Sequence, residues 1–136
     1  MRIMLDSQLH RDAREVMRDY PMGALLRGPI AQAAAGSTRV VVNLFDGGPK
    51  SRVEISLGNG SLKTMDKVER KDPFVEEVYA RNPETKKPWV NAGKSSHIWQ
   101  LNLPTDLPVG THLLKVRATD EFGRTHSDSM VLEVTA

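Results

Sequence analysis

The sequence predicts an all-β fold, an antiparallel β-sandwich that carries two short helical insertions at about 6–20 and 73–80. Residues 111–119 alternate polar and apolar side chains, which is the period of a half-buried strand. A second alternation runs through Met130, Leu132 and Val134. Because the polar reversal at 120–123 separates the two runs, they form a β-hairpin. Further short strand patterns, divided by turns that contain Gly and Pro, precede this hairpin.

Length and composition suit a single domain. The 136 residues, 39% apolar and 26% charged, are enough to bury a core. The net charge of +2 is small and both signs are interleaved, which gives no electrostatic case for nucleic acid. The absence of cysteine excludes disulfides, thiolate metal sites and a cysteine nucleophile, and it leaves the redox compartment open.

The beginning of the chain predicts an edge strand and then a helix. Residues 1–5 are apolar except for Arg2, but they are too few for a membrane span or a signal-peptide core. Because the chain starts so abruptly on a strand, we expect a fragment of a longer protein. Asp6 is placed to cap a helix over 6–20. The apolar face of this helix would contain Leu9, Ala13, Val16, Met17 and Tyr20.

Residues 21–36 interrupt the regular patterns. Pro21 ends the predicted helix, and the Gly-rich and Ala-rich stretch behind it predicts a poorly constrained surface connection, with at most a short helix at 29–34. Residues 6–36 are therefore interpreted as a helical and loop insertion before the core strands, which span about 39–134 of a single domain, 1–136.

The middle of the chain predicts three strands. Residues 39–45 are almost uniformly apolar, as expected of a strand at the centre of a sheet. Residues 52–57 alternate, and Gly58, Asn59 and Gly60 form a short turn into a third strand at 62–68. The last two should pair as an antiparallel hairpin with one solvated face.

A long excursion separates the third strand from the next one. Asp72 and Pro73 are a good N-cap and first-turn pair for a helix over 73–80. The apolar side of this helix would contain Phe74, Val75, Val78 and Tyr79. Residues 82–93 are polar, and we interpret three side chains there as possible partner contacts: Lys86, Lys87 and Trp89. Strand character returns at 96–103, where Trp99 shares a face with Leu101 and Leu103.

No motif for catalysis or metal binding is found. Two-metal hydrolysis of phosphoesters needs several converging His, Asp and Asn ligands, and no such motif occurs. The histidines lack the spacing of a ligand pair: His10, His97, His112 and His126. Nucleophile and phosphate-binding loop motifs are also missing. We predict no catalytic residue, no metal ligand and no cofactor.

Four side chains are candidates for a functional role. His112 is either a metal ligand or base, or, as we favour, a buried imidazole bonded to a backbone carbonyl near a sheet corner. His97 has the phase of Trp99 and could read a ligand at the surface. For Trp99 itself, core packing is favoured. Asp120 is interpreted as a turn former in preference to a catalytic acid.

Six segments occur together in one order: VNLFDG (42–47), SRVE (51–54), DPF (72–74), SSHIW (95–99), LPVGTH (107–112) and TDEFG (119–123). As a set they resemble the C-terminal domain of bacterial calcineurin-like metallophosphoesterases. The resemblance covers roughly residues 39–134, and residues 6–35 lie outside it. It implies an immunoglobulin/fibronectin-III-like sandwich.

The resemblance also implies a function. The metal ligands of such enzymes belong to the upstream domain, so this chain would be a non-catalytic accessory domain that packs on, or shapes the rim of, that domain's active site. The parent enzyme would be periplasmic, extracellular or attached to the envelope. The alternative is a free-standing immunoglobulin-like adhesion or carbohydrate-binding module, with Trp89 or Trp99 as a stacking platform. The reading frame upstream of Met1 would distinguish the two.

Overall fold

Two β-sheets pack face to face in the computed structural model, which describes residues 1–7, 26–82 and 93–136. Nine strands lie within these ranges: β1 (Arg2–Ser7), β2 (Ile30–Ala31), β3 (Thr38–Asn43), β4 (Arg52–Leu57), β5 (Lys63–Thr64), β6 (Asp66–Lys71), β7 (Lys94–Asn102), β8 (Gly110–Thr119) and β9 (Thr125–Thr135). A 3-10 helix (Gln32–Ser37) precedes β3, and helix α1 (Pro73–Arg81) follows β6.

The strand order confirms the predicted sandwich. One sheet has the order β1-β3-β7-β6 and the other β2-β9-β8-β4-β5. Immunoglobulin domains arrange their strands in this way, with A, B, E and D in one sheet and G, F and C in the other. One pair departs from the antiparallel prediction, because β2 runs parallel to β9. The chain leaves the first sheet after β1 and enters the second beside its last strand.

The core lies between the sheets and follows the predicted alternation. On β8 and β9 the buried residues are those of one phase: Leu114, Val116, Ala118, Met130, Leu132 and Val134. Val40 and Val42 of β3 and Trp99 of β7 meet them from the other sheet. β3 lies between β1 and β7, which confirms its central position.

The predicted third strand divides between the two sheets. Only Lys63 and Thr64 pair with β4, and β6 pairs instead with β7 in the opposite sheet. Met65, at the crossing, is 3% exposed and belongs to the core. Burying this side chain between the layers turns the chain from one sheet to the other, so the predicted hairpin is only two residues long.

The stretch predicted as a loose surface connection is built into the fold. Ile30 and Ala31 extend the second sheet, and Ile30 is 2% exposed. Ala35 in the 3-10 helix is fully buried. A Cβ on Gly36 would lie 2.5 Å from Thr105 Cγ2. Small side chains are therefore needed here for close approach, and the weakly predicted helix at 29–34 is a 3-10 turn displaced toward the C-terminus.

Asp6 is not a helix cap. β1 continues to Ser7, and the Asp6 side chain is buried on the outer face of the first sheet. Its Oδ2 lies 3.2 Å from Arg39 Nη2 and 2.9 Å from Arg70 Nη1. The first helical insertion therefore does not begin at residue 6. The remainder of that predicted helix lies outside the described residues.

Candidate functional site

The candidate functional site is the end of the sandwich at which the chain enters. Arg2 pairs with Asn43, so β1 begins beside the β3–β4 loop. Arg52 pairs with Thr119, which brings the β8–β9 turn to the same end. β7 also begins here, because Asn43 already pairs with Ile98. We call this end the entry pole and define it by residues 1–2, 44–51, 93–97 and 120–124.

Two phenylalanine rings are exposed at the entry pole. Phe45 in the β3–β4 loop is 54% exposed, and Phe122 in the β8–β9 turn is 74% exposed. A cleft of about 330 Å³ separates the two loops, and Phe122 lines it together with Lys50 and Glu121. The Arg2 guanidinium carbon lies 5.5 Å from the centroid of the Phe45 ring. The surface therefore combines aromatic rings with charges of both signs.

The β8–β9 turn is held by Asp120, as predicted. Its Oδ1 accepts hydrogen bonds of 2.9 Å from the amides of Phe122 and Arg124, and its Oδ2 lies 2.8 Å from Arg124 Nε. Gly123 has a φ of 81°, a conformation that favours glycine. Desolvation alone would raise the pKa of Asp120, but the hydrogen bonds and charge of Arg124 and the Phe122 amide outweigh it and lower the pKa.

A chain of buried polar groups lies beneath the pole. Asp72 and Asn43 are each 4% exposed. Asp72 Oδ1 accepts from the amides of Phe74 at 2.7 Å and Val75 at 3.4 Å, which confirms the predicted N-cap of α1. Asp72 Oδ2 accepts from Asn43 Nδ2. Asn43 Oδ1 in turn lies 2.7 Å from His97 Nδ1.

His97 reaches this chain because β7 has a bulge. Val68 pairs with Ile98, but Arg70 pairs with Ser95, so β7 has one residue more than β6 over this stretch. The extra residue breaks the strict alternation that would place His97 beside Trp99 in the interior. Bulges commonly re-aim a side chain next to a functional site.

Helix α1 covers the outer face of the same sheet. Phe74 packs on a small apolar cluster of Met4, Val41 and Ile98. The other residues of its predicted apolar side are only partly buried: Val75, Val78 and Tyr79. Glu77, in contrast, is buried at 2% exposure, so α1 is not the simple amphipathic helix that the sequence predicts.

The other candidate residues have structural roles or lie outside the described residues. His112 Nε2 is 2.7 Å from Pro108 O, which confirms the predicted carbonyl bond, but the imidazole is only partly buried and not buried as predicted. Trp99 is 2% exposed in the core and is no stacking platform. Across residues 1–7, 26–82 and 93–136, no three His, Asp or Glu side chains group as metal ligands. Outside the described residues lie His10, Lys86, Lys87 and Trp89.

The role of Asn43 is not evident from the sequence. This residue stands at the end of an apolar strand, and the strand pattern includes it. Its side chain amide joins a helix cap 29 residues later to a histidine 54 residues later. The one available signal was a polar residue in an otherwise apolar run that ends at a turn.

The family is established by comparison with known protein families. The family described as "C terminal of Calcineurin-like phosphoesterase" matches residues 1–126. The chain belongs to this family. The match also includes residues 6–35, which the resemblance seen in the sequence did not cover. The candidate functional surface of this phosphoesterase C-terminal domain is the entry pole of the sandwich.

Other comparisons add little. A search of the curated proteins found no match. Among solved structures, the crystal structure of CopC from Methylosinus trichosporium OB3b is similar at 17% identity with a TM-score of 0.37, over 77% of this chain and 79% of that one. A likeness this weak carries no argument about function. In the part of the chain that the structure describes, no helix is long and apolar enough to cross a membrane.

Proposed function

We propose that this chain is the non-catalytic, C-terminal accessory domain of a calcineurin-like metallophosphoesterase, and that it packs on the upstream catalytic domain through the entry pole. Membership of the family supports the association with a phosphoesterase. One observation supports docking through the entry pole. The chain enters the domain at the same pole that carries the two exposed rings, Phe45 and Phe122.

The direction of the chain favours the entry pole as the interface. β1 starts at this pole, where Arg2 pairs with Asn43, and in this proposal the catalytic domain precedes β1 in the chain. The C-terminal end of β9 lies at the opposite pole, where Val134 pairs with Gly110. A short connection to β1 would therefore bring the catalytic domain against the loops that carry Phe45 and Phe122.

The exposed rings suit a domain interface. Phe45 and Phe122 are flanked by Arg2 and Arg124, whose guanidinium carbons lie 5.5 and 5.3 Å from the ring centroids. Aromatic residues and arginine are enriched in the buried centres of interfaces. The rings would supply apolar contact and the guanidinium groups hydrogen bonds to a partner.

Residues 82–93 are the second proposed contact. The last of them, Gly93, leads directly into β7 at the entry pole. Lys86, Lys87 and Trp89 remain the side chains that we assign to partner contact. Because Trp99 is buried, the carbohydrate-binding alternative retains only Trp89 as a platform.

The location and the lack of catalysis are parts of the same proposal. We place the parent enzyme in the periplasm, in the envelope or outside the cell, which rests on the resemblance. Fractionation of cells that express the full reading frame would test it. The isolated chain should not hydrolyse an aryl phosphate in the presence of manganese, zinc or iron. Turnover that copurifies with the chain and is lost on His97→Ala or His112→Ala would contradict this.

The docking experiment starts from the reading frame upstream of Met1. In a protein that contains both domains, Phe45→Ser with Phe122→Ser should expose the pole to hydrogen exchange and increase cleavage by protease between the domains. Val109→Ser is the matched control, because Val109 is 51% exposed in the β7–β8 loop at the opposite pole. Equal behaviour of the pole variant and the wild type would disprove docking through this pole. A reading frame without a metallophosphoesterase domain would disprove the function.

A further inference from the structure

The hydrogen bonds of the buried polar chain determine the tautomer of His97. The Asp72 carboxylate accepts from two backbone amides and from Asn43. A carboxylate only accepts hydrogen bonds, so Asn43 must turn its NH₂ group toward Asp72. Asn43 Oδ1 then faces His97 Nδ1 at 2.7 Å. Since an amide oxygen also only accepts, His97 must carry its proton on Nδ1.

The other ring nitrogen of His97 is left as an acceptor. In the neutral imidazole with a proton on Nδ1, Nε2 has a lone pair. Nε2 has no hydrogen-bond partner among the described residues, and the side chain is half-buried at the entry pole. The bulge in β7 and two buried polar side chains thus hold one imidazole with its acceptor nitrogen uncommitted.

We propose that His97 is the polar anchor of the entry pole, and that its Nε2 accepts a hydrogen bond from an N–H or O–H group of the phosphoesterase domain. This inference rests on the proposed function and names the residue that gives the contact its geometry. Asp72 and Asn43 are positioning residues, which act only through His97. Their burial beside the N-terminus of α1 makes the acceptor direction a fixed property of the fold.

The first test requires only the 136-residue chain. Long-range proton–nitrogen NMR spectra of the ¹⁵N-labelled chain at pH 9, where histidine side chains are neutral, report which ring nitrogen is protonated. His97 should be protonated on Nδ1. His112 provides an internal comparison, because its Nε2 faces the carbonyl oxygen of Pro108 at 2.7 Å and must be protonated there. A spectrum with His97 protonated on Nε2 overturns the inference.

Asp72→Asn tests the source of the constraint. Asparagine retains the cap of α1, since Asn and Asp are similar N-cap residues, but its side chain can donate as well as accept. Because the asparagine oxygen stays on the amides of the cap, its NH₂ group faces Asn43, which must reverse its amide. His97 should therefore become protonated on Nε2, while His112 is unaffected. A His97 that remains wholly protonated on Nδ1 would show that Asp72 does not set the tautomer.

The second test measures docking in the two-domain protein. His97→Asn places an amide near the position of Nδ1 and keeps the bond to Asn43, but it removes the distant acceptor. His97→Gln instead places an amide oxygen near the position of Nε2. His97→Asn should weaken docking by about tenfold, the effect of losing one hydrogen bond, and His97→Gln should restore most of it.

The outcomes separate the two proposals. Docking of the wild type with equal docking of His97→Asn overturns the role of His97 and leaves the proposed function standing. A wild-type domain that does not dock overturns the proposed function and with it this contact. The tautomer of His97 is decided by the first test in either case.

Discussion

Replacement of Trp99 by alanine should remove a large part of the stability of this domain. The side chain is 2% exposed, packs in the main core and stands opposite Val42 in the sheet. The β3–β4 loop closes over its ring edge, since a Cβ on Gly47 would lie only 2.8 Å from Trp99 Cη2. Truncation therefore opens a cavity in the layer between the sheets.

The expected loss can be calculated from the burial. A buried aromatic side chain removes about 150–250 Å² from water, which at about 25 cal/mol per Å² corresponds to roughly 4–6 kcal/mol. Measured Trp and Phe truncations in cores cost about 3–5 kcal/mol. With an unfolding entropy of about 0.3 kcal/mol/K for a chain of this length, Tm should fall by roughly 10–17 °C.

Unfolding by urea and by heat, followed by far-UV circular dichroism, measures this loss without depending on tryptophan fluorescence. Phe122→Ala is the matched control, because Phe122 is 74% exposed and surface substitutions change stability by about 0.5 kcal/mol or less. A loss below about 1 kcal/mol for Trp99→Ala would refute the reasoning that the tryptophan fills the core.

Three further predictions concern the entry pole. Gly47→Ala should lower the free energy of unfolding by about 1–3 kcal/mol through overpacking. The loss should be smaller in a Trp99→Phe background, and a double-mutant cycle measures this difference. Equal losses in the two backgrounds would exclude the Trp99 ring as the obstacle. Gly123 has open space around it but a φ of 81°. Gly123→Ala should therefore lower the free energy of unfolding by about 1–2 kcal/mol through backbone strain, and unchanged stability in the same assay would contradict the turn geometry. Because the folded pKa of Asp120 is lowered from 3.8, its stabilisation is present above that pH and is lost as pH falls through the folded value. The difference in Tm between wild type and Asp120→Asn should shrink as pH falls from about 5 to 2, and a constant difference would exclude the carboxylate charge as its cause.

Local patterns were sufficient where a residue's role depends on its near neighbours. The alternation in β8 and β9 identified the buried phase because successive side chains of a strand point to opposite faces. Asp72 and Pro73 identified the start of α1, and Asp120 with Gly123 identified the turn, because capping and turn bonds join residues two to four apart.

Local patterns were wrong where distant segments decide. Met65 ended the predicted hairpin because its side chain fits between the sheets. Ile30 became a strand residue because β9 offered it a parallel partner. Asp6, placed by its neighbours at a helix cap, instead lies beside Arg39 and Arg70. None of these outcomes follows from spacing along the chain.

The sequence by itself determined the sandwich, the principal strands and the absence of recognisable catalytic motifs, because strand periodicity and motif spacing are properties of contiguous residues. Only the tertiary structure brought Asn43, Asp72 and His97 together and placed the loops of Phe45 and Phe122 at the same end of the sandwich. The physical reason is that a polar chain across two strands and a helix depends on sheet register and on one bulge. Both are fixed when the layers pack, and a one-residue shift would move every one of these side chains.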